Sequence, residues 1–104
     1  MTKVEIKALI KEQIATVYDP EIPVNIYELG LIYDINVSDD LKNAHVLMTL
    51  TAPACPAAEM LPAEVKEKAL SVPGVESAEV ELTFDPPWDK EMMSEEAQLE
   101  LGFL

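Results

Sequence analysis

A single cysteine, a single histidine and a single tryptophan stand in 104 residues, with only seven basic side chains. One cysteine forms no internal disulfide, which suits a reducing cytoplasm. Seven basic against 20 acidic residues leave a net charge of −13, with no basic patch to neutralise phosphates, so nucleic acid is not expected as a partner. An acidic surface is usually a solubility device; its other use is to meet a basic protein partner. No apolar run approaches the ~18 residues of a membrane span. Met1-Thr2-Lys3-Val4-Glu5-Ile6-Lys7 has neither the apolar core nor the small-residue cleavage site of a signal peptide. No GxxxxGKS/T loop occurs, so no nucleotide is expected.

What is present is an ordinary globular balance, 49% hydrophobic and 26% charged, enough for one core and one domain over residues 1–104. Thr2-Lys3-Val4-Glu5 is a capping box, and Ile6, Leu9, Ile10, Ile14 and Val17 follow at helical spacing. A helix is predicted over residues 3–17, ended by Pro20. Residues 19–30 have neither period and read as an ordered loop, packed down by Ile22, Val24, Ile26 and Leu29, with Gly30 at a positive φ. Asp19, Glu21, Asn25 and Glu28 on that loop are able to line a site; Asp19 and Asn25 equally suit turn backbone.

Residues 31–37 alternate, with Leu31, Tyr33, Ile35 and Val37 inward. Residues 44–51 form the second strand, with Ala44, Val46, Met48 and Leu50 inward and His45, Leu47, Thr49 and Thr51 on the other face. Ala58, Leu61, Val65, Ala69 and Val72 make the stripe of a second helix, stopped by Pro73-Gly74. Ala78, Val80, Leu82 and Phe84 face inward from a third strand over 78–84. Ser94 caps a short last helix, which Leu99, Leu101 and Phe103 dock. The expected fold is a compact two-layer α+β domain in the order α-β-β-α-β-α. An antiparallel hairpin and a right-handed crossover give a small mixed three-stranded sheet with its helices on one face.

The chemistry centres on Thr49-Leu50-Thr51-Ala52-Pro53-Ala54-Cys55-Pro56. Pro56 suits a first helical position, which sets Cys55 at or beside an N-cap. Free N–H groups and the helix dipole there favour thiolate, below the free-thiol value of about 8.5. Such a cysteine holds a soft metal or does thiol chemistry, although a lone cysteine also serves as a small core residue. His45 lies a strand length away at about 3.3 Å per residue, so it is no base for Cys55.

Three stretches together resemble the iron–sulfur cluster assembly domain family, which includes SufT-type bacterial proteins, the eukaryotic cytosolic iron–sulfur targeting subunit and PaaD. They are residues 19–33 with Asp19-Pro20-Glu21-Ile22-Pro23 and Leu29-Gly30-Leu31, residues 48–56 around Cys55, and Asp85-Pro86-Pro87-Trp88 followed by Met92-Met93-Ser94-Glu95-Glu96. The resemblance implies an accessory role in cluster maturation without turnover chemistry, helping to transfer or target clusters to clients. It assigns Cys55 to the cluster or client, with Asp19, Glu21, Thr51 and Pro53 in support. A cysteine-bearing C-terminal extension is absent, as is an ATPase domain, which favours the stand-alone type.

A cluster normally takes four thiolates and one chain offers one. A stable cluster therefore needs a homodimer with further ligands, or sharing with a client. A transient iron–sulfur cluster or Fe(II) fits better. The expected partners are an assembly scaffold or carrier and client apoproteins. The alternative is an adaptor that binds no cluster and docks through Trp88, Met92 and Met93. A cysteine enzyme lacks its base.

Overall fold

The computed structural model describes residues 2–18, 24–50 and 60–102. Helix α1 (Lys3–Ile14) begins at the capping box: the Thr2 hydroxyl accepts from the Glu5 N–H at 3.2 Å, and the Glu5 carboxylate accepts from the Thr2 N–H at 3.1 Å. The helix ends at Ile14, short of the expected Val17. The Thr16 and Val17 amides bond to the Gln13 and Ile14 carbonyls, tightening the chain to i−3 bonds. The Thr16 hydroxyl also donates to the Gln13 carbonyl at 2.6 Å, competing with the helical ladder.

Strands β1 (Ile32–Val37), β2 (Asn43–Met48) and β3 (Ser77–Leu82) form one sheet in the order β1-β2-β3. β1 and β2 are an antiparallel hairpin, and helix α2 (Met60–Leu70) carries the chain to β3, parallel to β2. The order and sheet are those the patterning predicts. Ile6, Ile10 and Ile14 of α1 and Leu61, Val65 and Ala69 of α2 are buried in one core with Val46 and Met48. Burying each large apolar side chain contributes about 1.5–3 kcal/mol, an upper figure because unfolded chains are not fully extended.

The inward assignments depart from the structure at four places. In β1, Ile32 pairs with Met48 and Asp34 with Leu47, so Tyr33 is the extra residue of a bulge. Ile32 therefore takes the inward place expected of Tyr33, and the Tyr33 hydroxyl reaches the Pro86 carbonyl at 2.8 Å. After β2, Thr49 is fully buried rather than outward, and its N–H bonds to the Leu31 carbonyl at 2.8 Å. β3 stops at Leu82, and Leu82 and Phe84 are exposed, not inward, since among the described residues this strand has a neighbour on one side only. In helix α3 (Glu95–Glu100), capped by Ser94 as expected, Ala97 faces the core and Leu101 packs beside it four residues on. Leu99, on the other side of the helical period, is exposed instead of docked. A 3-10 turn at Lys90–Met92, which the patterning misses, leads into α3.

Candidate functional site

Cys55, Thr51 and Pro53, with Asp19 and Glu21, lie outside the described residues, as do Ile22, Ala58 and Phe103. The described structure shows the frame from which both candidate segments leave. Tyr18 and Asn25 form an antiparallel bridge that closes the base of the first segment. Three backbone hydrogen bonds then run in series: Ile26 N–H to the Val17 carbonyl at 2.8 Å, Leu31 N–H to the Ile26 carbonyl at 3.1 Å, and Thr49 N–H to the Leu31 carbonyl at 2.8 Å. Residues 17 and 49, which precede the two segments, are thereby coupled through one short turn.

That turn is built by its side chains. Val24, Ile26, Leu29 and Leu31 are buried, as the loop reading requires of Val24, Ile26 and Leu29. The Asn25 side chain accepts from the Glu28 N–H at 2.9 Å, which makes Asn25 a turn-former. Gly30 has φ +81°. The C-terminal segment clamps the same turn: the Trp88 indole N–H donates to the Leu29 carbonyl at 2.7 Å, and the Ser94 N–H to the Glu28 carbonyl at 2.8 Å.

Of the three residues suggested for partner docking, Met93 sits differently from the expectation. Met93 is 4% exposed and belongs to the core, so it offers no docking surface in this structure. Trp88 is half-buried against the turn, and half-buried Met92 accepts from the Tyr33 hydroxyl through its sulfur at 3.5 Å. Sequence spacing does not separate a methionine that faces solvent from one that fills a core.

An open cleft of about 280 Å³ borders the base of the first segment, lined by Tyr18, Val24, Asn25, Glu28, Glu96, Ala97 and Glu100. Its three carboxylates come from two elements, the turn and α3. Of the lining residues, the sequence singles out Asn25 and Glu28 as able to line a site; it does not single out Glu100, and Glu96 enters only with the last helix and its family motif. Tyr18 is 58% exposed at its rim. His45 lies on the helix-free face, its Nε2 3.3 Å from Glu81 Oε1, in keeping with a surface role. Among the described residues no three His, Asp or Glu side chains converge as a metal site. Among the described residues, too, no helix is long and apolar enough to cross a membrane.

An Fe-S protein maturation auxiliary factor of Porphyromonas gingivalis is 57% identical over 95 residues, covering 91% of this chain and 90% of that protein. The auxiliary factor SufT of Staphylococcus aureus is 41% identical and covers 83% and 97%. Among solved structures, a domain of unknown function from Bacillus anthracis superposes with a TM-score of 0.89 at 36% identity, covering 98% of this chain and 96% of that one. A Mycobacterium tuberculosis protein associated with [Fe-S] complex assembly and repair has a TM-score of 0.54 at 29% identity, covering 97% and 87%. Residues 7–82 match the family described as iron–sulfur cluster assembly protein, and the chain belongs to that family.

Proposed function

We propose that this chain is an accessory, non-catalytic factor of iron–sulfur protein maturation that helps pass clusters to client apoproteins in the cytoplasm. The observation that carries the reading is near full-length similarity, in sequence and in fold, to maturation auxiliary factors. The cluster, or Fe(II), is cargo here. A single thiolate, Cys55, is one of the four ligands a cluster normally takes. The remaining ligands then belong to a donor scaffold, an acceptor apoprotein or a second copy of the chain, and the cargo moves on. Asp19 and Glu21 are hard ligands that suit a ferrous ion in transit better than a finished cluster. Part of the chain also resembles a segment of the iron–sulfur cluster carrier protein of Synechocystis, 21% of that longer protein, which supports a carrier among the partners.

The test replaces Cys55 with Ser and reconstitutes both proteins anaerobically with iron and sulfide. Visible absorbance, native mass and the regained activity of a cluster-requiring apo-hydratase are then followed. Equal folding, with at least tenfold slower loading of the hydratase, is expected of Cys55→Ser. Unchanged loading would remove Cys55 from the pathway and leave the adaptor reading.

A further inference from the structure

The sheet has two edges, and they are finished differently. At β1 the Tyr33 bulge breaks the ladder, and the Ile35 N–H is taken by the Asp34 carboxylate at 3.0 Å. Bulges and local capping of this kind are how proteins blunt an edge against further pairing. At β3 the register to β2 runs without a break from Ser77 to Leu82. The Ser77 N–H bonds to the Lys42 carbonyl and the Thr83 N–H to the Met48 carbonyl, so the odd-numbered amides point to β2. By the two-residue period, the N–H and C=O groups of Ala78, Val80 and Leu82 point away from the sheet. Among the described residues, none is bonded to these groups. The chain beyond β3 turns across the strand ends toward β1, where Pro86 meets Tyr33 and Trp88 meets Leu29.

The side chains along this edge state what would fit. Glu79 and Glu81 project from the helix-free face, and Leu82 and Phe84 expose 38% and 40% of their surface. A second copy pairing through β3 would set glutamates against glutamates, in a chain of net charge −13. A strand whose alternate residues are lysine or arginine would instead neutralise them, while its other residues cover the even-numbered side chains.

We propose that the outer edge of β3 docks an extended segment of a partner protein by strand addition, the segment alternating basic and apolar residues. Main-chain hydrogen bonds to Ala78, Val80 and Leu82 give the affinity, and Glu79 and Glu81 select the basic face. The proposal uses no residue of the Cys55 segment, so its failure and that of the cluster reading are distinguishable.

The full-length protein is titrated with acetyl-(Lys-Val)4-amide at low salt, alongside (Glu-Val)4 and the block peptide Lys4Val4. Amide exchange is read by NMR. The alternating basic peptide is expected to protect the Ala78, Val80 and Leu82 amides, and to bind at least about tenfold tighter than either control. Val80→Pro removes an outward N–H that takes no part in the β2 ladder, and is expected to abolish that protection with the β1–β2 amides unchanged. The double variant E79K/E81K keeps the question open to refutation if Val80→Pro does not fold; it should reverse the preference toward (Glu-Val)4. Equal binding of the block peptide, protection outside β3, no binding, or an unreversed preference in E79K/E81K would each overturn the proposal. So would self-association of the free chain that E79K/E81K removes.

Discussion

The carbonyl of Met92 occupies the space in which a side chain of Gly30 would begin. A Cβ built there would stand 2.8 Å from the Met92 carbonyl carbon and 3.0 Å from the Met92 Cβ, on a backbone with φ +81°. Gly30 is thus fixed twice, by its left-handed conformation and by the close approach of the 3-10 turn. Gly30→Ala should lower stability by about 2–5 kcal/mol, the sum of the left-handed penalty and overpacking. Urea unfolding gives the value, and a loss below 1 kcal/mol would show that the 3-10 turn yields easily.

Trp88 and Met93 make a second prediction, because the structure gives both work inside the fold. Trp88→Phe leaves the Leu29 carbonyl without its indole donor and should cost about 1–3 kcal/mol. Met93→Ala empties a buried site and should cost about 2–5 kcal/mol. Capture of a client apoprotein should be unchanged for both once folded fractions are matched. A capture defect in fully folded Trp88→Phe would return Trp88 to the partner surface.

The acid limb of stability follows from three exposed carboxyls. Hydrogen bonding from the Thr2 N–H, then from its hydroxyl, holds Glu5 below its ordinary value near 4.5. The Lys3 ammonium lowers Asp39, and the Ser38 hydroxyl, followed by the Lys42 N–H, lowers Asp40. A lowered carboxyl contributes stability that is complete above its ordinary value and is lost as pH falls through the folded one. The urea midpoint should therefore decline from about pH 5 downward. Glu5→Gln keeps a capping-box side chain but has nothing to titrate, so its decline should be shallower. Parallel curves for the two proteins would mean that Glu5 does not contribute.

How much of this was legible in the sequence varied with the kind of signal. The capping box at Thr2, the Ser94 cap and the turn role of Gly30 were readable because each rests on chemistry within a few residues, and the three strands because each carries its own two-residue period. The β1 register was not. A bulge inserts one residue, and only pairing with Met48 and Leu47 reveals that Tyr33 is the extra one. Thr49 reads as outward by alternation, yet it is fully buried, with its N–H bonded to the Leu31 carbonyl from far earlier in the chain. Nothing local in the sequence ties Glu96 and Glu100 to Glu28, and only the fold brings the three to one cleft. Long-range packing decides such cases, and spacing does not encode it.

The last prediction joins the two candidate segments. The bonds from Thr49 to Leu31, Ile26 and Val17 couple the residues from which those segments depart, and the Tyr18–Asn25 bridge closes one of them. Both segments carry prolines, Pro20 and Pro23 in one and Pro53 and Pro56 in the other, which lower the entropy lost on ordering. We expect Asp19, Glu21 and Cys55 to act on a common ion. Two carboxylates near a thiol disfavour its thiolate, whereas an arriving cation relieves the repulsion among all three. Asp19→Asn with Glu21→Gln should then lower the alkylation midpoint of Cys55 while weakening Fe(II) binding by at least about tenfold. The opposite signs matter. A folding defect would expose the thiol and move its midpoint toward the free value of about 8.5. Titration of alkylation rate against pH, paired with anaerobic Fe(II) binding on protein shown folded by amide exchange, reads both. Lost stability with unchanged alkylation and unchanged iron binding would reduce Asp19 and Glu21 to turn residues and leave Cys55 to act without them.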